Sequence, residues 1–214
     1  MKKIIFSAIL AFLCVFSTQA QDETTSNDET TSNDDYNKWQ VRVRAVALVP
    51  APYFYDSVKG IDPDISTAFA PEIDVTYFLS KRIALELMLT TTKHDVEIKG
   101  SGADIGSVSF LPPGLSLQYH FLSEKFKPYV GAGLNYFIFY GEDAGELESI
   151  EYKNTLGYSL QAGLDYALTD KWFINLDFKK IFVNTEVTIN NNSNADNEAN
   201  LDPFIFGFGV GMKF

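Results

Sequence analysis

The stretch that decides the fold is the last one, Pro203-Phe204-Ile205-Phe206-Gly207-Phe208-Gly209-Val210-Gly211-Met212-Lys213-Phe214. Every second residue from Phe204 to Phe214 is apolar, while the positions between them hold three glycines flanked by Ile205 and Lys213. Because successive side chains of a strand point to opposite faces, this alternation predicts a strand. Large apolar side chains on one face and small or polar ones on the other are typical of a barrel with lipid outside. The alternative is the last strand of a soluble sheet, with its apolar face on a protein core.

The composition agrees with strands that cross a membrane. The 214 residues suit one domain, and they are 46% hydrophobic but only 21% charged. Mean hydropathy is only −0.05 because alternation hides the apolar residues of a transmembrane strand. After residue 20, no run reaches the roughly 18 apolar residues of a spanning helix. The net charge of −11 argues against a nucleic acid partner and predicts solvated loops that repel polyanions.

Residues 1–20 have the pattern of a cleaved signal peptide. Lys2 and Lys3 precede the apolar run 4–16, and Thr18-Gln19-Ala20 supplies a small-residue cleavage site. A membrane-anchoring helix is the alternative, but the run is short and an acidic stretch follows it. Cys14, the only cysteine, lies within this segment. We therefore expect no disulfide, thiolate metal site or cysteine nucleophile in the mature chain.

Residues 21–38 form an acidic leader that contains a repeated hexapeptide. Asp22-Glu23-Thr24-Thr25-Ser26-Asn27 recurs at 28–33, and residues 22–34 contain no apolar side chain. Such a segment has nothing to bury, so we expect it to be disordered. A calcium loop is the alternative for its carboxylates, but the glycine and the terminal glutamate of such loops are missing.

Alternating segments then fill residues 39–214, which we assign to one barrel domain. The eight strand candidates are 39–49, 69–79, 83–92, 108–121, 128–140, 156–168, 172–183 and 204–214. Their connections alternate between long polar loops (51–68, 93–107, 141–155 and 184–202) and short turns (80–82, 122–127 and 169–171). This arrangement predicts an all-β fold, an eight-stranded antiparallel up-and-down transmembrane β-barrel with both termini on the periplasmic, short-turn side. An open edge in lipid would leave backbone groups unpaired, so the barrel has to close.

A soluble ligand-binding barrel of the lipocalin type would reverse the two faces. Its solvent face would then carry many glycines, which weaken strands without packing against anything. Inside a narrow barrel the same glycines leave room for larger neighbours. Outward aromatic residues near strand ends, such as Tyr119, Tyr140 and Trp172, also fit the girdles found at membrane interfaces.

The inward positions collect charges and a set of apolar side chains. The predicted ion network contains Arg42, Arg44, Glu72, Asp74, Glu86, Asp165 and Asp177, with Lys179 beside it. These charges have to pair or meet water, either as a structural plug or as an ion-selective constriction. Eight strands enclose little more than side-chain space. A solute path would run among Met88, Phe78, Leu48, Val46, Phe137 and Phe139, near the long-loop end.

Catalysis and metal binding have little support in the sequence. His94 lies beside Asp95 in a predicted loop with serines nearby, and His120 is expected to bond to the barrel wall. Some outer-membrane enzymes use a Ser/His/Asp set, but nothing here fixes such a geometry. With two histidines and no mature cysteine, we expect no metal site, no cofactor and no enzyme activity.

Three stretches resemble the outer-membrane protein W (OmpW) family. They are Phe110-Leu111-Pro112-Pro113-Gly114, Lys127-Pro128-Tyr129-Val130-Gly131-Ala132-Gly133-Leu134-Asn135-Tyr136, and Leu201-Asp202-Pro203-Phe204 with the terminal Phe214. The resemblance implies an eight-stranded barrel of the Gram-negative outer membrane. It also implies a narrow channel for small hydrophobic molecules, with an apolar lumen and a lateral exit to the bilayer. Met88 falls at the family's apolar constriction, whereas Lys179 stands at a facing position that is aromatic in some members.

The expected partners follow from this assignment. They are membrane lipids and lipopolysaccharide, a small hydrophobic ligand or detergent in the lumen, and the outer-membrane assembly machinery, but no nucleic acid. The assembly signal is expected in the last strand, at Phe208, Val210, Met212 and Phe214. Channel or uptake function is the main hypothesis. The alternative is a structural, adhesion or receptor barrel with a plugged lumen and no transport.

Overall fold

The computed structural model describes residues 37–51, 53–54, 63–98, 104–144, 149–189 and 197–214. The signal peptide and nearly all of the acidic leader lie outside the described residues. Within the described ranges, no helix is long and apolar enough to cross a membrane. The strands are β1 (Trp39–Val49), β2 (Tyr53–Phe54), β3 (Pro63–Ile65), β4 (Ala68–Phe78), β5 (Ile83–Thr90), β6 (Thr92–Ile98), β7 (Asp104–Leu111), β8 (Gly114–His120), β9 (Phe126–Asp143), β10 (Ile150–Tyr152), β11 (Thr155–Ala167), β12 (Trp172–Phe182), β13 (Asn184–Ile189), β14 (Asn197–Asn200) and β15 (Phe204–Lys213).

Eight of these strands close into an antiparallel barrel, as the alternation predicts. Their order around the wall is β1-β4-β5-β8-β9-β11-β12-β15, and β15 pairs back onto β1. At the closing seam Arg42 lies opposite Gly211, and Val43 lies opposite Val210. The Phe214 N–H donates to the carbonyl of Trp39 at 2.9 Å, so pairing extends to the last residue. Each barrel strand therefore has a partner on both sides.

The apolar faces of the strands point outward and the polar faces inward. Phe208 is 58% exposed, whereas Arg42 and Glu86 are fully buried. Other outward apolar side chains that remain exposed include Leu117, Leu134, Leu160 and Leu176. A soluble ligand-binding barrel needs the opposite arrangement. The predicted orientation is confirmed, with hydrocarbon-like side chains outside and the charges inside.

The segments predicted as long polar loops contain additional strands, and that prediction is wrong. Residues 93–107 contribute β6 and β7, which pair with each other; β3 joins β6, and β7 also pairs with β9. Strands from the other predicted loops form a second sheet with the order β10-β13-β14-β2. Beyond the lipid band these strands expose polar residues, such as Lys93 and Asp95, instead of an apolar stripe. The alternation of apolar and polar residues that identifies the membrane-spanning strands is therefore absent here, although the backbone hydrogen bonding between strands continues.

Gly209 allows the closing seam to approach the side chain of Arg44. A Cβ atom on Gly209 would lie 2.1 Å from the Val43 carbonyl oxygen and 2.7 Å from the Cα of Arg44. Both atoms belong to backbone, which cannot rotate away. Gly209 thus leaves room for the buried arginine next to it, as the glycine pattern of the last strand predicts.

We expect Gly209→Ala to destabilise the folded barrel by about 1–3 kcal/mol, the usual cost of overpacking. The outward substitution Val210→Ala is the control, since Val210 faces the membrane. The heat-modifiable folded band on gels, followed against urea in lipid vesicles, gives the two midpoints. A wild-type midpoint for Gly209→Ala would contradict the packing described for the seam.

Candidate functional site

Arg42 holds together the polar half of the lumen, which lies toward the short turns. Its Nη1 donates to Asp74 Oδ1 at 2.9 Å, to Thr76 Oγ1 at 2.9 Å and to Glu86 Oε2 at 3.1 Å. Its Nη2 donates to Gln40 Oε1 at 3.2 Å and lies 3.4 Å from Asp165 Oδ2. The guanidinium also lies 5.3 Å from the ring centre of Tyr129. One side chain thus connects several strands across the barrel.

Arg44 forms a second centre one step toward the long loops. Its Nε donates to Glu72 Oε1 at 2.7 Å, and its Nη2 lies 3.0 Å from Asp74 Oδ2. Its Nη1 lies 3.4 Å from Asp177 Oδ2 on the opposite wall. Lys179 joins the cluster through Glu86 Oε1 at 3.4 Å. The eight charged residues predicted from alternation therefore meet in one cluster, which we call the ion cluster.

The ion cluster carries more negative than positive charge. Three cationic side chains face five carboxylates, a formal surplus of two negative charges if all are ionised. The charged side chains are at most 3% exposed. Charges removed from water are tolerated only when partners and hydrogen bonds replace the lost hydration. This half of the lumen is consequently occupied by fixed, mutually paired charges.

Neutral polar side chains complete the ion cluster, and the sequence reasoning did not single them out. Asp177 Oδ2 accepts from Tyr129 Oη at 2.6 Å and from Gln161 Nε2 at 2.7 Å. Gln118 Nε2 donates to Glu86 Oε2 at 2.9 Å, and Asn175 Nδ2 donates to Asp165 Oδ1 at 2.8 Å. All four lie at inward positions of their strands. An amide or phenol side chain at an inward strand position, close to a predicted charge, is the sequence pattern that could have identified them.

The other half of the lumen, toward the long loops, is apolar. It includes four predicted path residues, Val46, Leu48, Phe137 and Phe139. Phe110 lies 5.4 Å from Phe137 between ring centres. We call this group the apolar cluster; its buried members are Val46, Leu48, Ala70, Val96, Val108, Phe110, Phe137, Phe139, Ile181, Val183, Leu201 and Ile205. Met88, also predicted, is fully buried next to Gly114. Apolar side chains here can accept only an apolar solute without loss of hydration.

One predicted path residue, Phe78, lies elsewhere. Phe78 does not line the long-loop end, because it ends β4 beside the short turn, where its ring lies 4.8 Å from that of His120. Lys179 belongs to the ion cluster and pairs with Glu86. His120 bonds to Gln118 at 3.0 Å, in agreement with its expected contact to the wall.

The wall beside the apolar cluster contains a break. Backbone pairing between β5 and β8 ends at Met88 opposite Gly114, and it resumes between β6 and β7 at Thr92 opposite Phe110. The interval contains Pro112 and Pro113, which lack backbone N–H donors. On the far side the Tyr136 N–H donates to the Pro113 carbonyl at 3.0 Å. The interruption, which we call the wall gap, therefore lies between residues 89–91 and 111–113.

His94 lies in the extension beyond the lipid band and does not form a catalytic pair. It is fully buried, while its neighbour Asp95 points to the outside of the strand. Its Nδ1 donates to the Ser66 carbonyl at 2.7 Å, and its Nε2 lies 3.1 Å from Thr92 Oγ1. The ring stacks on Phe110 at 4.9 Å. Burial lowers the pKa of His94, against the opposing effects of the Ser66 carbonyl and Asp95.

Tyr152, in β10, shows a related effect on the same side of the molecule. Burial, together with nearby Glu142, raises the pKa of Tyr152 to about 12. Its ring stacks on Phe139 at 5.4 Å. The extension thus continues the aromatic lining of the apolar cluster, and burial favours the uncharged forms of His94 and Tyr152.

A closed eight-stranded barrel with an apolar exterior and a charged interior defines a bacterial outer-membrane β-barrel protein. The OmpW family model matches residues 39–214, and the chain belongs to the OmpW family. An uncharacterized outer-membrane protein y4mB of Sinorhizobium fredii is 38% identical over 82% of this chain and 80% of its own length. Outer membrane protein W of Escherichia coli is 33% identical over 65% of this chain and 70% of its own length.

Among solved structures, OprG from Pseudomonas aeruginosa matches with a TM-score of 0.75 and 23% identity, covering 83% of this chain and 96% of OprG. This likeness supports the fold. The family and its relatives place the chain in the outer membrane of Gram-negative bacteria. Family and fold are those of outer-membrane barrel proteins.

Arg44→Met should destabilise the barrel by about 3–5 kcal/mol, because it leaves buried carboxylates without a partner. Lys153→Met is the control. The Lys153–Glu186 ion pair, at 3.1 Å, has both side chains exposed and should contribute no more than about 1 kcal/mol to the stability of the folded barrel. Urea unfolding in lipid vesicles, followed by the fluorescence of Trp39 and Trp172, measures both. Equal midpoints for the two variants would contradict the buried network.

Acidification should loosen the β6–β7 hairpin. The pKa of folded His94 lies below its unfolded value of about 6.5, so below that pH the unfolded segment binds protons more readily and stability falls. Trypsin cleavage after Lys93, compared between wild type and His94→Gln at each pH, isolates this contribution. We expect relative cleavage of the wild type to rise from about pH 7 to about pH 5. A constant ratio would show that His94 titrates normally.

Proposed function

We propose that this protein takes up small hydrophobic molecules across the outer membrane through the apolar half of its lumen. The observation that best supports this function is the position of the wall gap. It adjoins Met88 and Phe110, on the long-loop side of the ion cluster. A solute among the apolar side chains would meet fixed charges if it continued along the barrel axis. Leaving sideways into lipid avoids that desolvation cost.

The direction of transport follows from the arrangement of the two halves. We propose that both termini and the short turns are periplasmic, so that the apolar cluster opens toward the long-loop, external side. The solute then enters among the extensions, crosses the apolar cluster and passes the wall gap into the bilayer. The ion cluster closes the remaining route. This arrangement favours apolar over charged solutes.

One relative carries a name that supports an apolar solute. A dibenzothiophene metabolism operon protein of Pseudomonas aeruginosa is 28% identical over 53% of this chain and 54% of its own length. Dibenzothiophene is a fused aromatic compound without charge, chemically compatible with the phenyl rings of Phe110, Phe137 and Phe139. We extend that compatibility to this chain as part of the proposal.

A structural, adhesion or receptor barrel is the second candidate. The filled ion cluster favours it, because a lumen closed by buried charges needs no solute to explain it. We further propose that Phe208, Val210, Met212 and Phe214 present the assembly signal. All four lie on the outer face of β15 or directly after it, and three are about half exposed. That role is compatible with either function.

A reversible disulfide across the wall gap tests the uptake route. Thr91 and Leu111 occupy the next register position beyond the Thr92–Phe110 pair, so Thr91→Cys with Leu111→Cys should form a crosslink. Oxidation should reduce entry of the apolar probe 1-N-phenylnaphthylamine into cells to the level of cells without the protein. Reductant should restore entry.

The matched control places the crosslink on an intact part of the ladder. Leu87 and Leu115 pair directly and both face outward, so Leu87→Cys with Leu115→Cys should leave uptake unchanged when oxidised. If neither cells with the wild type nor cells with any variant take up more 1-N-phenylnaphthylamine than cells without the protein, the result would favour the structural barrel. Inhibition by both crosslinks would refute the wall gap as the exit.

A further inference from the structure

A basic residue directly precedes each of the four barrel strands that start at the short-turn end. Lys38, Arg82, Lys125 and Lys171 come just before β1, β5, β9 and β12. The main-chain carbonyl of each accepts a backbone N–H from the neighbouring strand: from Phe78 at 2.7 Å, His120 at 2.7 Å, Ala167 at 2.9 Å and Lys213 at 2.9 Å, respectively. The four residues therefore lie at the same level of the wall, and we call them the basic ring.

The basic ring is spread around the whole barrel. Its backbone hydrogen bonds belong to the interfaces β1–β4, β5–β8, β9–β11 and β12–β15, which are every second interface of the closed wall. All four side chains are exposed. The cations are thus distributed along the circumference and do not form one local cluster.

The two ends of the barrel carry opposite charge. At the short-turn end, exposed Lys81 adds to the basic ring, whereas the acidic groups are Glu124, Asp170 and the terminal carboxylate of Phe214. At the long-loop end, β6, β7, β10 and β13 together contain one lysine and five acidic residues. The excess of cations is therefore a property of the short-turn end alone.

Aromatic side chains indicate the depth of the basic ring in the membrane. The residues that follow its three lysines are outward aromatics, namely Trp39, Phe126 and Trp172. The ring of Trp39 lies 4.6 Å from that of Tyr77, and the ring of Phe126 lies 4.9 Å from that of Tyr166. Tryptophan and tyrosine are enriched where the hydrocarbon meets the headgroups. The basic ring, one residue further out, consequently lies at the depth of the lipid phosphates.

Arg82 shows that a basic side chain at this level can turn toward the lipid. Strand alternation would place it on the lumen side, in line with the buried Ala84 and Glu86. Its Nη1 instead donates to Tyr119 Oη at 2.9 Å, and Tyr119 is an outward residue of β8. Long basic side chains near a membrane interface commonly extend in this way to keep their charge among the headgroups.

We propose that the basic ring binds the phosphate groups of anionic phospholipids in the leaflet at the short-turn end. Ammonium and guanidinium groups form charge-assisted hydrogen bonds to phosphate oxygens, and each cation should favour an anionic lipid about fivefold. Four such contacts, spread around the wall, would hold the barrel at one depth. The inference goes beyond solute uptake and does not depend on it. The choice of phospholipid over lipopolysaccharide rests on the proposed periplasmic position of the short turns.

The tryptophans report on the proposed contacts directly. Trp39 and Trp172 are the only tryptophans of the chain, and each follows a lysine of the basic ring. Bromine atoms on a lipid acyl chain quench the fluorescence of a tryptophan that the lipid contacts. In vesicles that mix phosphatidylglycerol with phosphatidylcholine, brominated phosphatidylglycerol should quench more than brominated phosphatidylcholine at the same mole fraction. The fitted ratio of binding constants should be about fivefold, and high salt should lower it.

Neutral variants assign this preference to the basic ring. With Trp172→Phe, Trp39 is the single reporter, and Lys38→Gln should then bring the ratio close to one. With Trp39→Phe, Lys171→Gln should do the same for Trp172. Lys153→Gln removes an exposed charge at the long-loop end and is the control, with an unchanged ratio. All three lysines are exposed, so we expect the folded barrel to persist.

The lipid source is tested in cells. Asp170→Cys, in the turn beside Lys171, should resist a bulky polyethylene glycol maleimide in intact cells and react once the outer membrane is permeabilised. Labelling in intact cells would place the basic ring in the lipopolysaccharide leaflet and overturn the choice of phospholipid.

Two further results would refute the proposal. The first is equal quenching by the two brominated lipids, or a ratio that neither Lys38→Gln nor Lys171→Gln changes. The second concerns residues 22–35, which contain six acidic residues and whose deletion should leave the ratio unchanged. If the preference for phosphatidylglycerol appears only after that deletion, the acidic leader and not phospholipid occupies the basic ring. Uptake of 1-N-phenylnaphthylamine is measured separately, so hydrophobic uptake stands or falls independently.

Discussion

Backbone pairing in hydrocarbon is the constraint on which this structure depends. A strand in lipid has no water to satisfy its N–H and C=O groups, so the sheet has to close on itself. Closure with eight strands leaves an interior scarcely wider than the side chains that fill it. Large inward residues then require small ones opposite, as Gly211 and Gly209 are opposite Arg42 and Arg44. The glycines, the arginines and the closed ladder are thus parts of one solution.

The interior divides into two environments with opposite consequences for a solute. In the polar half, each buried arginine contacts several carboxylates, so no single cation or anion can move without disturbing the others. In the apolar half, aromatic and aliphatic side chains offer no hydrogen bonds. A wide porin excludes apolar molecules by filling its lumen with water. The proposed uptake route would have the opposite preference, because it passes through the apolar half of the lumen.

Alternation predicted the barrel because membrane and lumen impose a strict period of two. It placed Arg42, Glu86 and Asp177 inside, and the structure brings them together. It failed at Phe78, since the pattern specifies the face of a strand but not the height of a residue in the barrel. It also missed β6 and β7, whose outward residues are polar where no lipid covers them. The partners of each charge, such as Tyr129 for Asp177, depend on side-chain reach across the lumen, which one strand's pattern does not contain.

The uninterrupted length of β9 has a mechanical consequence. It runs from Phe126 to Asp143 without a break, and it pairs with β11 on one side and with both β8 and β7 on the other. The Pro112–Pro113 segment stays attached to it through Tyr136. Strand β9 therefore supports the β11 side of the barrel, the β8 side and the β6–β7 extension at the same time. Pairing is consequently interrupted on the side of the Pro112–Pro113 segment that faces β5 and β6, while the side that faces β9 stays hydrogen bonded, so the barrel keeps one continuous strand behind the interruption.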